Sequence, residues 1–220
     1  MSEAANAAAG RDLLIFGATR NTGLVLARLA RQSGRTVAAM VRPGSDAQAL
    51  LALGVDVIDG DAFELDDCRR AVAAGQARTI VSLLGGKSSD GRRIDALGNL
   101  NVIEAAAQAP ALERFVLVTS MGCGDQFERI SEPARRLLGE ALTAKTVAED
   151  ALRRSALPWS LLRPTGLTHE PARGRWRLMT DAPAASDYLP RADLAAAILA
   201  VIDDASWRRR VVSVLGAAAA

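Results

Sequence analysis

Aromatic side chains are scarce in this chain, only 4% of 220 residues. Its core must therefore be filled by Ala, Leu and Val, which suits packed layers of helices and strands. Cysteine is nearly missing too: Cys68 and Cys123 stand far apart with no partners at metal spacing. That excludes a disulfide framework and fits a reduced, cytoplasmic protein. The lone histidine, His169, argues against a zinc site. Neither sign of charge dominates, since 27 Lys and Arg face 25 Asp and Glu for a formal net charge of +2. Basic residues are dispersed except for the run Arg208-Arg209-Arg210, so the sequence gives no support for nucleic-acid binding. No apolar run approaches the roughly 20 residues of a membrane span. The opening MSEAANAAAG has no basic segment ahead of an apolar core, so it reads as a frayed tail rather than a signal peptide.

What is present is an alternation. Half of the residues are hydrophobic, enough for a substantial core. Short β-branched runs at 12–16, 36–41, 55–59, 79–84, 114–119, 159–163 and 211–215 predict strands. Helices are predicted to begin near Thr22, Ser45, Glu64, Asp90, Ser131 and Arg191. Ser45 and Ser131 suit N-caps, Gly54 a terminal glycine, and Pro133 a first helical turn. Continuous apolar strands separated by helices imply a parallel sheet covered on both faces. Right-handed crossovers then give a Rossmann-like, doubly wound α/β sheet in the order 3-2-1-4-5-6, with a seventh strand outside. One domain is expected over 12–215, between loose tails at 1–11 and 216–220. The Pro-, Gly- and Arg-rich segment 165–190 is the least regular stretch, placed where such folds cover a substrate.

The stretch GATRNTG follows the first strand and opens the first helix. Gly17 permits a sharp turn, and Gly23 lets the helix approach the sheet closely. Backbone N–H groups at the mouth of a helix attract phosphate, so the turn reads as a dinucleotide site. The third glycine usual in such turns is missing. Arg20 or Asn21 takes its place, depending on register, and asparagine tolerates the left-handed region better. The second register leaves Arg20 free to face a phosphate, beside Thr19 and Thr22. Where NAD enzymes usually end the second strand with an acid for the ribose 2′-hydroxyl, this chain has Arg42. An arginine fork suits a 2′-phosphate, which makes NADPH the expected cofactor in preference to NADH; a solvated loop arginine is the blander alternative. Asp61, in DGDAFE, suits either the adenine amino group or the cap of the next helix.

Five stretches carry a resemblance: FGATRNTG, VRPGSDAQALLALGVDVIDGDAFE, GNLNVIEAAAQAPALERFVLVTSMG, AKTVAEDALRRSALPWSLLRPTGL and PRADLAAAILAVID. In order and spacing they resemble the atypical short-chain dehydrogenases/reductases with an NmrA-like NAD(P)H-binding domain. Within that family the chain looks most like the biliverdin reductase B/flavin reductase type, over roughly residues 12–215. The resemblance implies that Gly17 to Gly23 hold the pyrophosphate, that Arg42 faces the 2′-phosphate, and that Asp61 and Ala62 meet the adenine. It places Leu83, Leu84 and Gly85 along the ribose path and Thr119 and Ser120 beside the nicotinamide. Pro164, Thr165 and Gly166 would contact the carboxamide through backbone atoms.

Typical family members use Tyr-x-x-x-Lys on the fifth helix, where one turn brings both side chains to the same face and the tyrosine donates the proton. Here Lys145 is present, but Ala141 stands in the tyrosine's position, and the sole tyrosine, Tyr188, lies in the later loop. Alanine donates no proton. Hydride transfer chiefly needs a nicotinamide held near its acceptor, and flavins, quinones and linear tetrapyrroles can take their proton from water. Ser120 is then the candidate for ordering the acceptor or relaying a proton, and Lys145 for anchoring the ribose. A local backbone bond for Ser120 and an exposed helix lysine are the plain alternatives. Met121, His169, Trp176 and Tyr188 are candidate acceptor contacts, with Met179 beside Trp176 as an apolar wall; simple loop packing would also account for them. The expected activity is an NADPH-dependent reductase of a small planar or carbonyl acceptor. A non-catalytic redox sensor or a cofactor-dependent isomerase or epimerase is the alternative. The partner expected is a small-molecule substrate, with no nucleic acid, membrane or metal, and the chain is expected to be monomeric or homodimeric.

Overall fold

The structure is a computed structural model that describes residues 10–88, 90–181 and 187–217. Its centre is a sheet that starts with β1 (Leu13–Phe16), β2 (Val37–Val41), β3 (Asp56–Asp59), β4 (Thr79–Ser82), β5 (Arg114–Val118) and β6 (Trp159–Pro164). These six pair in the order β3-β2-β1-β4-β5-β6, all parallel. The order reverses between β1 and β4, which opens a crevice at the strands' carboxyl ends. The late strand β10 (Val211–Gly216) extends the sheet parallel to β6. Beyond it, β8 (Trp176–Met179) closes the edge antiparallel.

The strands β1, β2, β4 and β5 are buried along their whole length. That is why they read as uninterrupted apolar runs: each face has its own helix layer. On one face α1 (Asn21–Gln32) and α6 (Arg191–Asp203) pack side by side, joining Leu26, Ala27 and Ala30 to Leu194, Ala195 and Ile198 in one cluster. On the other, α3 (Leu65–Gly75), α4 (Ile94–Ala106) and α5 (Glu132–Arg154) cover Leu14, Phe16, Phe115 and Leu117. Small residues keep these layers close; Cys68 sits inside them in α3, and Cys123 is buried in the loop after β5. Burial pushes the thiols of Cys68 and Cys123 up to about 12, so neither is a reactive thiolate at neutral pH.

Several details differ from the sequence expectation. The short helix α2 (Gln48–Ala52) is not capped by Ser45; the Asp46 carboxylate accepts from the Gln48 amide at 2.9 Å. The fourth helix begins at Ile94 rather than near Asp90, because Ser88, Asp90 and Arg92 hydrogen-bond among themselves in a loop. Ser131 does cap α5, accepting from the Ala134 amide at 3.4 Å, with proline in the first turn. The segment 165–190 is more regular than its composition suggests. It holds β8 and two short strands, β7 (Leu167–Thr168) and β9 (Leu189–Pro190), which pair in parallel. Gly216, expected in a tail, belongs to β10, and Arg11 is held by Asp56 at 2.6 Å. The remaining tail positions, 1–9 and 218–220, lie outside the described residues, as do 182–186 of the covering segment. Among the described residues, no helix is long and apolar enough to cross a membrane, and no cluster could hold a metal.

Candidate functional site

A groove of about 930 Å³ runs across the carboxyl ends of the strands. Gly17, Thr19, Arg20, Asn21, Thr22 and Gly23 form its central wall. The turn has the shape that a phosphate-binding mouth requires. Gly17 takes φ +87, and a Cβ there would meet the Leu83 backbone at 3.1 Å. At Gly23 a Cβ would lie 2.0 Å from the Gly17 carbonyl oxygen, so only glycine fits. Asn21, the residue standing in for a glycine, takes φ +53. A left-handed residue other than glycine is strained by about 1–2 kcal/mol. Asn21→Gly should therefore leave stability unchanged or slightly raised. Asn21→Ala should lower it by about 1 kcal/mol, read from urea unfolding midpoints.

At one end of the groove lie Arg42, Asp61 and Ala62, with Ser45, Asp46 and Gly60. Arg42 is exposed, and no carboxylate pairs with it among the described residues. Asp61 is partly committed to the chain: its carboxylate accepts from the Phe63 amide at 3.0 Å, opening the turn before α3. Asp61 itself lines the groove. Ala62 is buried, and its carbonyl accepts from Asn101 at 3.0 Å.

Leu83, Leu84, Gly85, Thr119, Ala141, Lys145 and Pro164 line the other end. Lys145 is 15% exposed, and its ammonium lies 2.9 Å from the Asp95 carboxylate, which is 1% exposed. Asp95 also accepts from the Gly86 amide at 3.0 Å and from Arg93 at 3.1 Å. A Cβ at Gly85 would sit 2.8 Å from the Lys145 nitrogen and 3.1 Å from the Asp95 carboxylate, so a larger residue here would push against this pair. Asp95 and Arg93 are groove residues that sequence reasoning did not single out. An acid in the first turn of a helix looks like an ordinary favourable charge, and only the fold brings it to a lysine on another helix.

Other predicted residues lie outside this lining. The Ser120 hydroxyl donates to the Met121 carbonyl at 3.1 Å, the local arrangement weighed above. The Met121 amide donates to the Pro164 carbonyl at 2.8 Å, joining the ends of β5 and β6. Thr165 is buried and donates its hydroxyl to the Asp187 carbonyl at 3.0 Å. Gly166 lies under Tyr188, whose ring would clash with any Cβ there, and Tyr188 itself is 64% exposed. His169 is exposed, while Trp176 packs from β8 onto the α1/α6 core, with Met179 at the strand's far end.

Thr119 reports a feature the sequence hid. Its hydroxyl donates to Glu149 at 2.7 Å. Glu149 is 0% exposed and receives a two-point contact from Arg163, itself 1% exposed, at 3.0 Å from Nε and 2.5 Å from Nη2. Arg163 extends to Asp125 at 2.7 Å. A buried, hydrogen-bonded ion pair thus underlies the groove floor.

A family model for NAD(P)H binding matches residues 17–205, which spans the turn, the groove and both helix layers. The chain belongs to this NAD(P)H-binding family. It is similar to ChuY of Escherichia coli O157:H7, an anaerobilin reductase, with 33% identity and a TM-score of 0.84 over 95% of this chain and 98% of that one. It is also 26% identical to YhfK of Bacillus subtilis, an uncharacterized sugar epimerase, over 90% of this chain and 91% of that protein. An uncharacterized chloroplast protein of Arabidopsis thaliana is 26% identical over 182 residues, and this chain spans 65% of its length. These findings agree with the atypical short-chain dehydrogenase/reductase character that the motifs implied.

Proposed function

We propose that the protein is an NADPH-dependent reductase that delivers hydride to a small planar or carbonyl acceptor of the flavin, quinone or tetrapyrrole kind. The observation that carries this reading is the single groove that joins Arg42, the Gly17–Gly23 turn and Lys145. The residues fit the coenzyme. Gly17 and Gly23 allow the close backbone contacts that shape the turn, and the α1 amides behind it, whose first turn has no partners within the helix, suit a diphosphate. Bound NADPH supplies the hydride. The chain's part is to grip and orient it: Arg42 meets the 2′-phosphate, Asp61 and Ala62 border the adenine, and Lys145, fixed by Asp95, holds the ribose.

Ala141 shapes the acceptor side. It lines the groove one helical turn before Lys145 and offers no proton. An acceptor that takes hydride and then a proton from water satisfies that site; the products are NADP+ and the two-electron-reduced acceptor. The likeness to an anaerobilin reductase supports a conjugated acceptor. The test is NADPH oxidation at 340 nm against a panel of flavins, quinones, linear tetrapyrroles and carbonyls. Turnover with a conjugated acceptor is the expected result, and none with any acceptor overturns the proposal.

One observation favours a second reading. The Thr119 and Ser120 hydroxyls are both committed within the protein, and Ala141 is inert. A redox sensor would need no more than this. Equal affinity for NADP+ and NADPH without turnover would mark it, whereas a rearranged substrate with unchanged coenzyme would mark an epimerase. The reductase is proposed to act in the cytoplasm on small molecules, as a monomer or homodimer. The free, buried cysteines support the reducing compartment.

A further inference from the structure

The groove wall contains a guanidinium that the coenzyme reading above does not use. Arg191 is the first residue of α6 and lines the groove with Leu194. Its Nη1 is buried and has no hydrogen-bond partner among the described residues. Buried polar groups are nearly always satisfied, and a charged one left bare is costly. Arginine offers donors only, so a ligand that meets Arg191 in the groove must present an acceptor, and the positive charge selects an anion.

The position of Arg191 is fixed from three sides. Pro190 precedes it, and β9 is held to β7 through the Leu189 amide, which donates to the Gly166 carbonyl at 2.8 Å. Two residues on, the buried Asp193 carboxylate accepts from the Arg173 and Gly174 amides at 2.9 and 3.0 Å. Behind it, α6 packs along α1. The helix that carries Arg191 is thus the immediate neighbour of the helix whose amides face the groove.

We propose that Arg191 is a diphosphate-binding residue, closing on the coenzyme's nicotinamide-side phosphate from α6 while the α1 amides hold the diphosphate from the other side. The assignment rests on the coenzyme reading above. A carboxylate carried by the acceptor offers the same chemistry, and the choice of ligands separates the two sources. Wild type and Arg191→Gln are titrated calorimetrically with NADPH, with 2′-phospho-ADP-ribose, and with 2′,5′-ADP, which lacks the second phosphate of the bridge. Arg191→Gln should weaken the first two about 10- to 100-fold and leave 2′,5′-ADP within about twofold. Should the glutamine variant fail to fold, Arg191→Lys carries the test. Its loss should be about three- to tenfold for the same two ligands, because a point charge replaces a fork. Unchanged NADPH affinity with a raised KM for the acceptor would transfer Arg191 to an acceptor carboxylate and overturn the assignment. Equal loss for all three ligands would also overturn it. If wild type binds none of them, the coenzyme reading itself falls.

Discussion

Arg42→Asp should invert coenzyme preference, weakening NADPH by about 100-fold or more while changing NADH by less than about threefold. A charge-assisted pair to phosphate contributes roughly 1.5–3 kcal/mol, and the new carboxylate adds repulsion where attraction stood. Each 1.4 kcal/mol is a factor of ten in affinity, so two decades follow without any other contact changing. Arg42 is well suited to such a test. It is exposed, takes part in no ion pair among the described residues, and lies just past β2, so the substitution should not disturb folding. Its backbone carbonyl accepts from the Ser45 amide at 3.0 Å, a contact that any residue can keep. Fluorescence titration with both coenzymes at fixed ionic strength provides the ratio. Similar losses for NADPH and NADH would show that Arg42 does not read the 2′-phosphate.

Glu149→Gln should cost far more stability than any exposed charge. The substitution is nearly isosteric, but it leaves Arg163 buried with only the largely exposed Asp125 to balance it. Breaking a buried pair from one side costs about 3–5 kcal/mol. At about 2–4 °C per kcal/mol for a domain of this size, the melting temperature should fall by about 6–20 °C. Glu132→Gln is the matched control, since its partner Arg136 lies 3.1 Å away on the exposed face of α5. There the change should stay within about 0.5 kcal/mol. Calorimetric scans of both variants make the comparison. Equal, small shifts would mean that water reaches the Glu149 site.

Residues differ in how openly the sequence displays them. The parallel strands are legible because a sheet covered on both faces has no polar side to interrupt the apolar run. The Gly17–Gly23 turn is legible because its backbone shape restricts which residues fit. Asn21 stands at the left-handed position, as the choice between registers anticipated. In contrast, β8 is hidden. WRLM sits at an edge among arginines and is defined by its partner β10 more than by its own pattern. Glu149 is hidden for another reason. AEDALRR reads as a solvated helix face, and a carboxylate in such a run carries no mark of burial until Arg163 arrives from β6. Asp95 is the same case, made meaningful only by Lys145. Long-range pairs of opposite charge leave no periodic trace.

The placement of β10 has a bearing on synthesis. β10, the last of the described strands in chain order, is inserted between β6 and β8 rather than added at a rim. While residues 211–216 are still inside the ribosome, β8 has nothing to zip against, and Asp187 cannot form its bridge to Gly216. A nascent chain can thus assemble the β1–β6 half that carries the Gly17–Gly23 turn early, yet the edge formed by β10 and β8 must wait for β10 to emerge.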